Sequence, residues 1–154
     1  MAINFGTSGV IRGSGADQIS IFNNGNIKHT QPTFIGHFNA VSTSASNYNP
    51  YLNTTLSRNV VVDATASSIT VPSDGFYHIY CHQLVASSGG VYLLIKKNGT
   101  GIYHAYSDND PSYDMNISCV AYLAANDVIS FSITGTTTTT WGIPHSSVTL
   151  HFIG

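Results

Sequence analysis

Residues 71–85, VPSDGFYHIYCHQLV, constrain the fold more than any other stretch of the chain. Residues 72–75, Pro-Ser-Asp-Gly, are a turn signal, because proline fixes φ and glycine tolerates positive φ. A run rich in aromatic and β-branched residues follows, with no Pro and no Gly, which predicts a central strand. On a strand, Tyr77, Ile79 and Cys81 share one face, and Phe76, His78, Tyr80 and His82 share the other. Neither face is plainly polar. One therefore fills a core, and the other, aromatic with histidine tips, is suited to meet a second surface.

The rest of the chain reads as further strands. Apolar or alternating runs at 33–41, 59–63, 68–71, 91–97, 101–106, 116–124, 128–134 and 146–153 are separated by turn signals. Asn98-Gly99 is a hairpin signal and Asn126-Asp127 a turn. Residues 42–52 and 107–112 read as polar loops, and no window has helical periodicity. About eight to ten short strands predict an all-β antiparallel sandwich or jelly roll. Residues 1–31 stand apart. They are rich in Gly and Asn, and Gln18 to Phe22 is expected to pair with Asn26 to His29 as a hairpin. Ile3, Phe5, Val10, Ile11, Ile19, Ile21, Phe22 and Ile27 are too many apolar groups for a solvated tail and too few for a core. The expected organisation is an N-terminal arm, 1–31, that docks on its own mates or on a larger assembly, and a body, 32–154.

Composition excludes several function classes. Charged residues are 8%, Glu is absent and the net charge is −2, so there is no basic stripe for nucleic acid. No window is apolar for 18 residues, so no membrane-spanning helix is expected. The start, MAINFGTSGVIRG, lacks the basic and apolar regions of a secretory signal. The chain has no G-x-S-x-G, H-E-x-x-H, phosphate-binding Gly loop or C-x-x-C, so an enzyme is not expected, and no cofactor is implied. Cys81 and Cys119 are expected as buried thiols, or as a disulfide if their strands are neighbours. The acidic loop DNDPSYD offers Asp108, Asp110 and Asp114 as weak candidates for Ca²⁺, without the Gly and terminal Glu of an EF-hand; a solvated loop is the preferred reading. His78 and His82 lie about 13 Å apart on a strand and cannot chelate one metal within a chain.

The order of several short motifs resembles a known family. Phe38-Asn39-Ala40 after a Pro, Pro72-x-x-Gly75-x-Tyr77-x-Ile79, Lys97-Asn98-Gly99, Leu123-x-x-Asn126-Asp127-x-Ile129-x-Phe131 and the closing Phe152-Ile153-Gly154 together resemble the globular head of complement C-one-q and the tumour necrosis factor superfamily. Asn126 stands where that family usually has Gly, and Ile79 where it usually has Phe. The resemblance implies a ten-strand jelly roll that forms a homotrimer. By position, it implies that Phe76, His78, Tyr80 and His82 face the threefold axis, with Val128, Ser130 and Ser132 beside them. It also implies that His37 and His151 lie on paired strands, where they become candidate neighbours. Histidines buried at such an interface would make assembly acid-sensitive.

The lead-in NFGTSG…RGSGADQISI…NNGNI resembles virion proteins of bacteriophages, notably those of cyanobacterial and marine phages. Two functions are then expected. One is a capsid decoration, or cement, protein on the virion surface, with the arm residues Ile3, Phe5, Ile11, Ile19, Ile21 and Phe22 anchoring it to the major capsid protein or other virion proteins. The other is a tail-fibre tip or adhesin for host glycans, using the loops around Tyr48, Tyr51, Tyr106 and Tyr113.

Overall fold

A computed structural model describes residues 9–12, 18–21, 27–29, 31–39, 41–43, 47–87, 89–108, 113–135, 138–140 and 145–154. The strands are β1 (Gly9–Arg12), β2 (Gln18–Ile21), β3 (Ile27–His29), β4 (Thr33–Phe38), β5 (Val41–Thr43), β6 (Asn47–Tyr48), β7 (Leu52–Arg58) and β8 (Val61–Asp63). They continue with β9 (Ser68–Thr70), β10 (Gly75–Ser87), β11 (Val91–Lys97), β12 (Thr100–Ser107), β13 (Tyr113–Leu123), β14 (Val128–Gly135), β15 (Thr138–Thr140) and β16 (Ser146–Phe152). Among the described residues there is no helix long and apolar enough to cross a membrane.

Ten of these strands make two antiparallel sheets. Sheet I runs β7-β4-β16-β10-β13, and sheet II runs β12-β11-β14-β9-β8. The short β15 continues sheet I beyond β16 along the same edge of β10 and is itself paired by β5; β6 pairs β14 in sheet II. This is the jelly roll that the motif order implied. The expected hairpin 18–29 is present as β2 and β3, and β1 adds a third strand to it.

Alternation decides what the sandwich encloses. In β10, Tyr77, Ile79, Cys81, Gln83 and Val85 are fully buried, while the residues between them are not. Val91, Leu93 and Ile95 of β11 and Ile129, Phe131 and Ile133 of β14 meet them from sheet II. Phe38 of sheet I and Phe131 of sheet II touch edge to face, with ring centroids 5.6 Å apart, the arrangement favoured by ring quadrupoles. The Ser146 hydroxyl, though buried, is satisfied: it donates to the Phe38 carbonyl at 3.0 Å and accepts the Phe38 N–H at 3.1 Å.

Three features depart from the sequence reading. Residues 42–52, expected as a polar loop, hold β6 and most of β5, short strands whose pairing partners β14 and β15 are distant in sequence. β7, LNTTLSR, is a strand pairing β4, where no strand was expected. It is an edge strand with one paired side, so it tolerates the polar Asn53, Thr54, Thr55 and Ser57 that hid it. The strand beside β10 is β13, paired with it from Gly75↔Leu123 to Val85↔Tyr113.

Candidate functional site

The outward face of sheet I is the best candidate for a functional surface. It is laid out in rows set by the registers of β13, β10, β16 and β4. Tyr122 faces Phe76 at one end. The next row is Val120, His78, His151 and Thr33. Then come Ser118, Tyr80, Thr149 and Ile35. Asn116, His82 and Ser147 form the last complete row, and His37 follows Gly36, which faces Val148.

The face is apolar at one end and histidine-rich in the middle. Phe76, Val120 and Tyr122 are 52%, 48% and 54% exposed, although side chains of this size are ordinarily drawn into a core. The Phe76 and Tyr122 rings meet edge to face at 5.5 Å. His78 Nε2 is 3.0 Å from the Ser118 hydroxyl, and His82 Nε2 pairs with the Asp114 carboxylate. His151 is partly buried; its pKa is lowered, first by that burial and then by the neighbouring His78.

Phe76, His78, Tyr80 and His82 thus lie together on one outward face. Val128 and Ser130 do not join them. Both are on β14 in sheet II, opposite Thr70 and Ser68, and Ser132 follows on the same strand. Alternation fixes the side of a strand, but not the sheet that the strand enters; β14 is claimed by β11 and β9. Ser118, Val120 and Tyr122 of β13 occupy the place expected for them. Their signal was present in NISCVAYLA, which alternates, but with apolar groups on both faces. His37 and His151 lie on paired strands without facing each other: His151 is opposite Thr33, and its histidine neighbour is His78.

The remaining candidates are dispersed. Tyr106, 50% exposed, leans on Tyr92 with centroids 4.5 Å apart, and Tyr92 meets His104 edge to face at 5.7 Å. This aromatic cluster is on the outward face of sheet II, and the sequence reading missed Tyr92 and His104 as its members. Tyr51 is also exposed, on the segment between β6 and β7. Tyr48 lies on β6, separated from β12 by β14 and β11, and Tyr113 opens β13 in the other sheet. Of the calcium candidates, Asp114 is engaged by His82, Asp108 is exposed, and Asp110 lies outside the described residues. Among the described residues no three His, Cys or Asp side chains cluster as metal ligands. Ile11, Ile19 and Ile21 fall on β1 and β2; Ile3, Phe5 and Phe22 lie outside the described residues.

Cys81 and Cys119 are thiols on neighbouring strands, in adjacent diagonal positions of the β10–β13 ladder. Burial raises both thiols; Cys119 is pushed up to about 11, and Cys81, with Cys119 beside it, goes higher still.

Comparison with known proteins adds to this geometry. No family model matches the chain, and no curated protein matches it. Solved structures do. Murine APRIL at pH 8.0 superposes with a TM-score of 0.65 at 14% identity, over 79% of this chain and 99% of that one. Eiger TNF from S. frugiperda superposes with a TM-score of 0.63 at 13% identity, over 80% of this chain and 94% of that one. At such identities the likeness is one of fold: a tumour-necrosis-factor-like jelly roll.

Proposed function

We propose that this chain is a non-enzymatic structural protein of a bacteriophage virion, assembled as a homotrimer through the outward face of sheet I, and that it decorates and stabilises the capsid. The observation that carries the self-association is the exposed Phe76–Val120–Tyr122 patch, continuous with His78, Tyr80 and His151. A monomer would leave this apolar area in water, at a cost of roughly 25 cal/mol per Å² relative to burying it. The fold leaves this face open on one side of the body, where further copies can cover it. The virion role draws on the character of residues 1–31 and on a composition that keeps solubility with so few charges. The arm would anchor three times over, so that cohesion comes from avidity.

A second reading has its own support. The Tyr92–Tyr106–His104 cluster is an exposed aromatic platform of the kind that stacks on sugar rings, which suits a fibre tip that reads host glycans. Antibody labelling of intact particles in electron microscopy separates the two. Regular label over the head is the expected result. Label on the tail alone would favour glycan reading, and no label on any particle would remove both virion roles. Sedimentation velocity tests the trimer independently, and a monomer at micromolar concentration and pH 8 would refute it.

A further inference from the structure

Four histidines share the outward face of sheet I, and they are not equivalent. His82 has a carboxylate partner, Asp114, so a proton taken up there makes an ion pair. His37 stands at the far end, beside the row of Ser147 and opposite Asn53. His78 and His151 stand directly opposite each other on β10 and β16, in the middle of the face, next to the exposed Val120.

Facing residues in antiparallel strands have Cβ atoms about 4.5–5.5 Å apart, so two imidazolium rings there would repel at close range. Among the described residues, no Asp side chain is packed around the pair. From β13 come Val120 and Ser118, the latter bonded to His78. From β4 comes Thr33, and beyond it Arg58 of β7, of the same sign as a protonated histidine. Along β10 the next residues on this face are Phe76 and Tyr80. Asp74, ahead of β10, is bound to the Ala125 N–H at 2.6 Å.

We propose that His78 and His151 form an acid-operated release for the assembled protein: neutral, they are covered between copies, and on protonation they drive the copies apart. The proposal rests on the self-association reading. Within one protomer the trend is already present. The pKa of His151 lies below its ordinary value of 6.5, so the folded chain binds fewer protons than the unfolded chain below that pH. That contribution to stability is complete above about pH 6.5 and falls as the pH drops. Covering the pair with a second copy desolvates it further and steepens the effect.

The test is the mass of the full chain by sedimentation velocity between pH 8 and pH 5, with circular dichroism recorded at each pH. The expected result is a trimer at pH 8 and a threefold lower mass at pH 5, with the β-sheet spectrum retained. The double variant His78→Gln, His151→Gln should hold its pH 8 mass at pH 5, whereas His82→Gln should dissociate as the wild type does. Undiminished wild-type mass at pH 5, a double variant that dissociates at the wild-type midpoint, or loss of the sheet spectrum at pH 5 would overturn the switch and leave the trimer standing. A wild-type monomer at pH 8 would overturn the trimer itself and the switch with it. If the double variant fails to assemble, NMR of the His151 ring decides. Its titration midpoint should be lower in the assembled wild type than in monomeric Phe76→Ser, Tyr122→Ser protein, and equal midpoints would overturn the proposal.

Discussion

The side-chain amide of Asn98 donates to the Asp127 carboxylate at 2.6 Å, joining the β11–β12 turn to the β13–β14 turn. The same carboxylate accepts the Ala124 N–H at 2.7 Å and lies 2.7 Å from Lys97 Nζ, while Asn98 Oδ1 accepts the Val128 N–H at 2.8 Å. Asp127 is buried, and its pKa is lowered, chiefly by Lys97. Asp127→Ala leaves these donors without their acceptor and should destabilise the body by about 2–3 kcal/mol, measured by urea denaturation. A depressed carboxylate contributes fully above its ordinary value of 3.8, and the contribution is lost as the pH falls through the lowered value. Asp127→Ala should therefore be less sensitive to acid below about pH 4 than the wild type.

Two glycines should respond very differently to alanine. Gly99 has φ of 81°, with nothing near the position of an added Cβ, so Gly99→Ala should cost only the left-handed strain of about 1–2 kcal/mol. Gly75 has φ of 148°, and an added Cβ would lie 2.4 Å from the Phe152 ring and 2.8 Å from the Gly154 carbonyl. That carbonyl accepts the Phe76 N–H. Gly75→Ala should cost more than Gly99→Ala and lower the thermal midpoint further; equal losses would count against this account.

The two thiols, Cys81 buried and Cys119 partly buried, should be chemically silent. With Cys119 at about 11 and Cys81 higher, almost no thiolate exists at pH 8, and a thiol-specific disulfide reagent should label the native chain hardly at all. Both cysteines should react after denaturation, without prior reduction. Labelling that appears only after reduction would mean they are bonded.

Replacing Phe76 and Tyr122 with Ser removes exposed apolar groups that a lone protomer does not use in its core. The double variant should sediment as a monomer and unfold in urea like a monomeric body. Its retention as a trimer would move the interface elsewhere.

Much of this architecture was legible because β10 is so regular. Strict alternation separated Tyr77, Ile79 and Cys81 from Phe76, His78, Tyr80 and His82, and the structure puts the two sets on opposite sides of sheet I. Asn98-Gly99 was readable because the turn needs positive φ at both residues, here 51° and 81°. What failed was pairing across distance. Nothing local in Val128 or Ser130 reports that β14 lies between β11 and β9. Little in LNTTLSR announces a strand, because its hydrogen bonds to β4 are supplied by the fold and, Leu52 apart, its side chains are polar or at least partly exposed. The histidine pair was hidden for the same reason: His78 and His151 are far apart in the chain and meet only through the β10–β16 register.

The place of β16 carries a consequence for how the molecule comes to exist. This last strand lies in the interior of sheet I, with β10 on one side and β4 on the other. Until residues 146–152 arrive, β4 and β7 pair with each other but have no seam to the rest of their sheet. Closing so long a span is entropically slow, which places the body among the millisecond-to-second folders typical of nonlocal β topologies. During synthesis the sandwich stays unfinished until residues 146–152 have emerged. The outward face of sheet I becomes continuous in the same step, so folding and the completion of that face are one event in time.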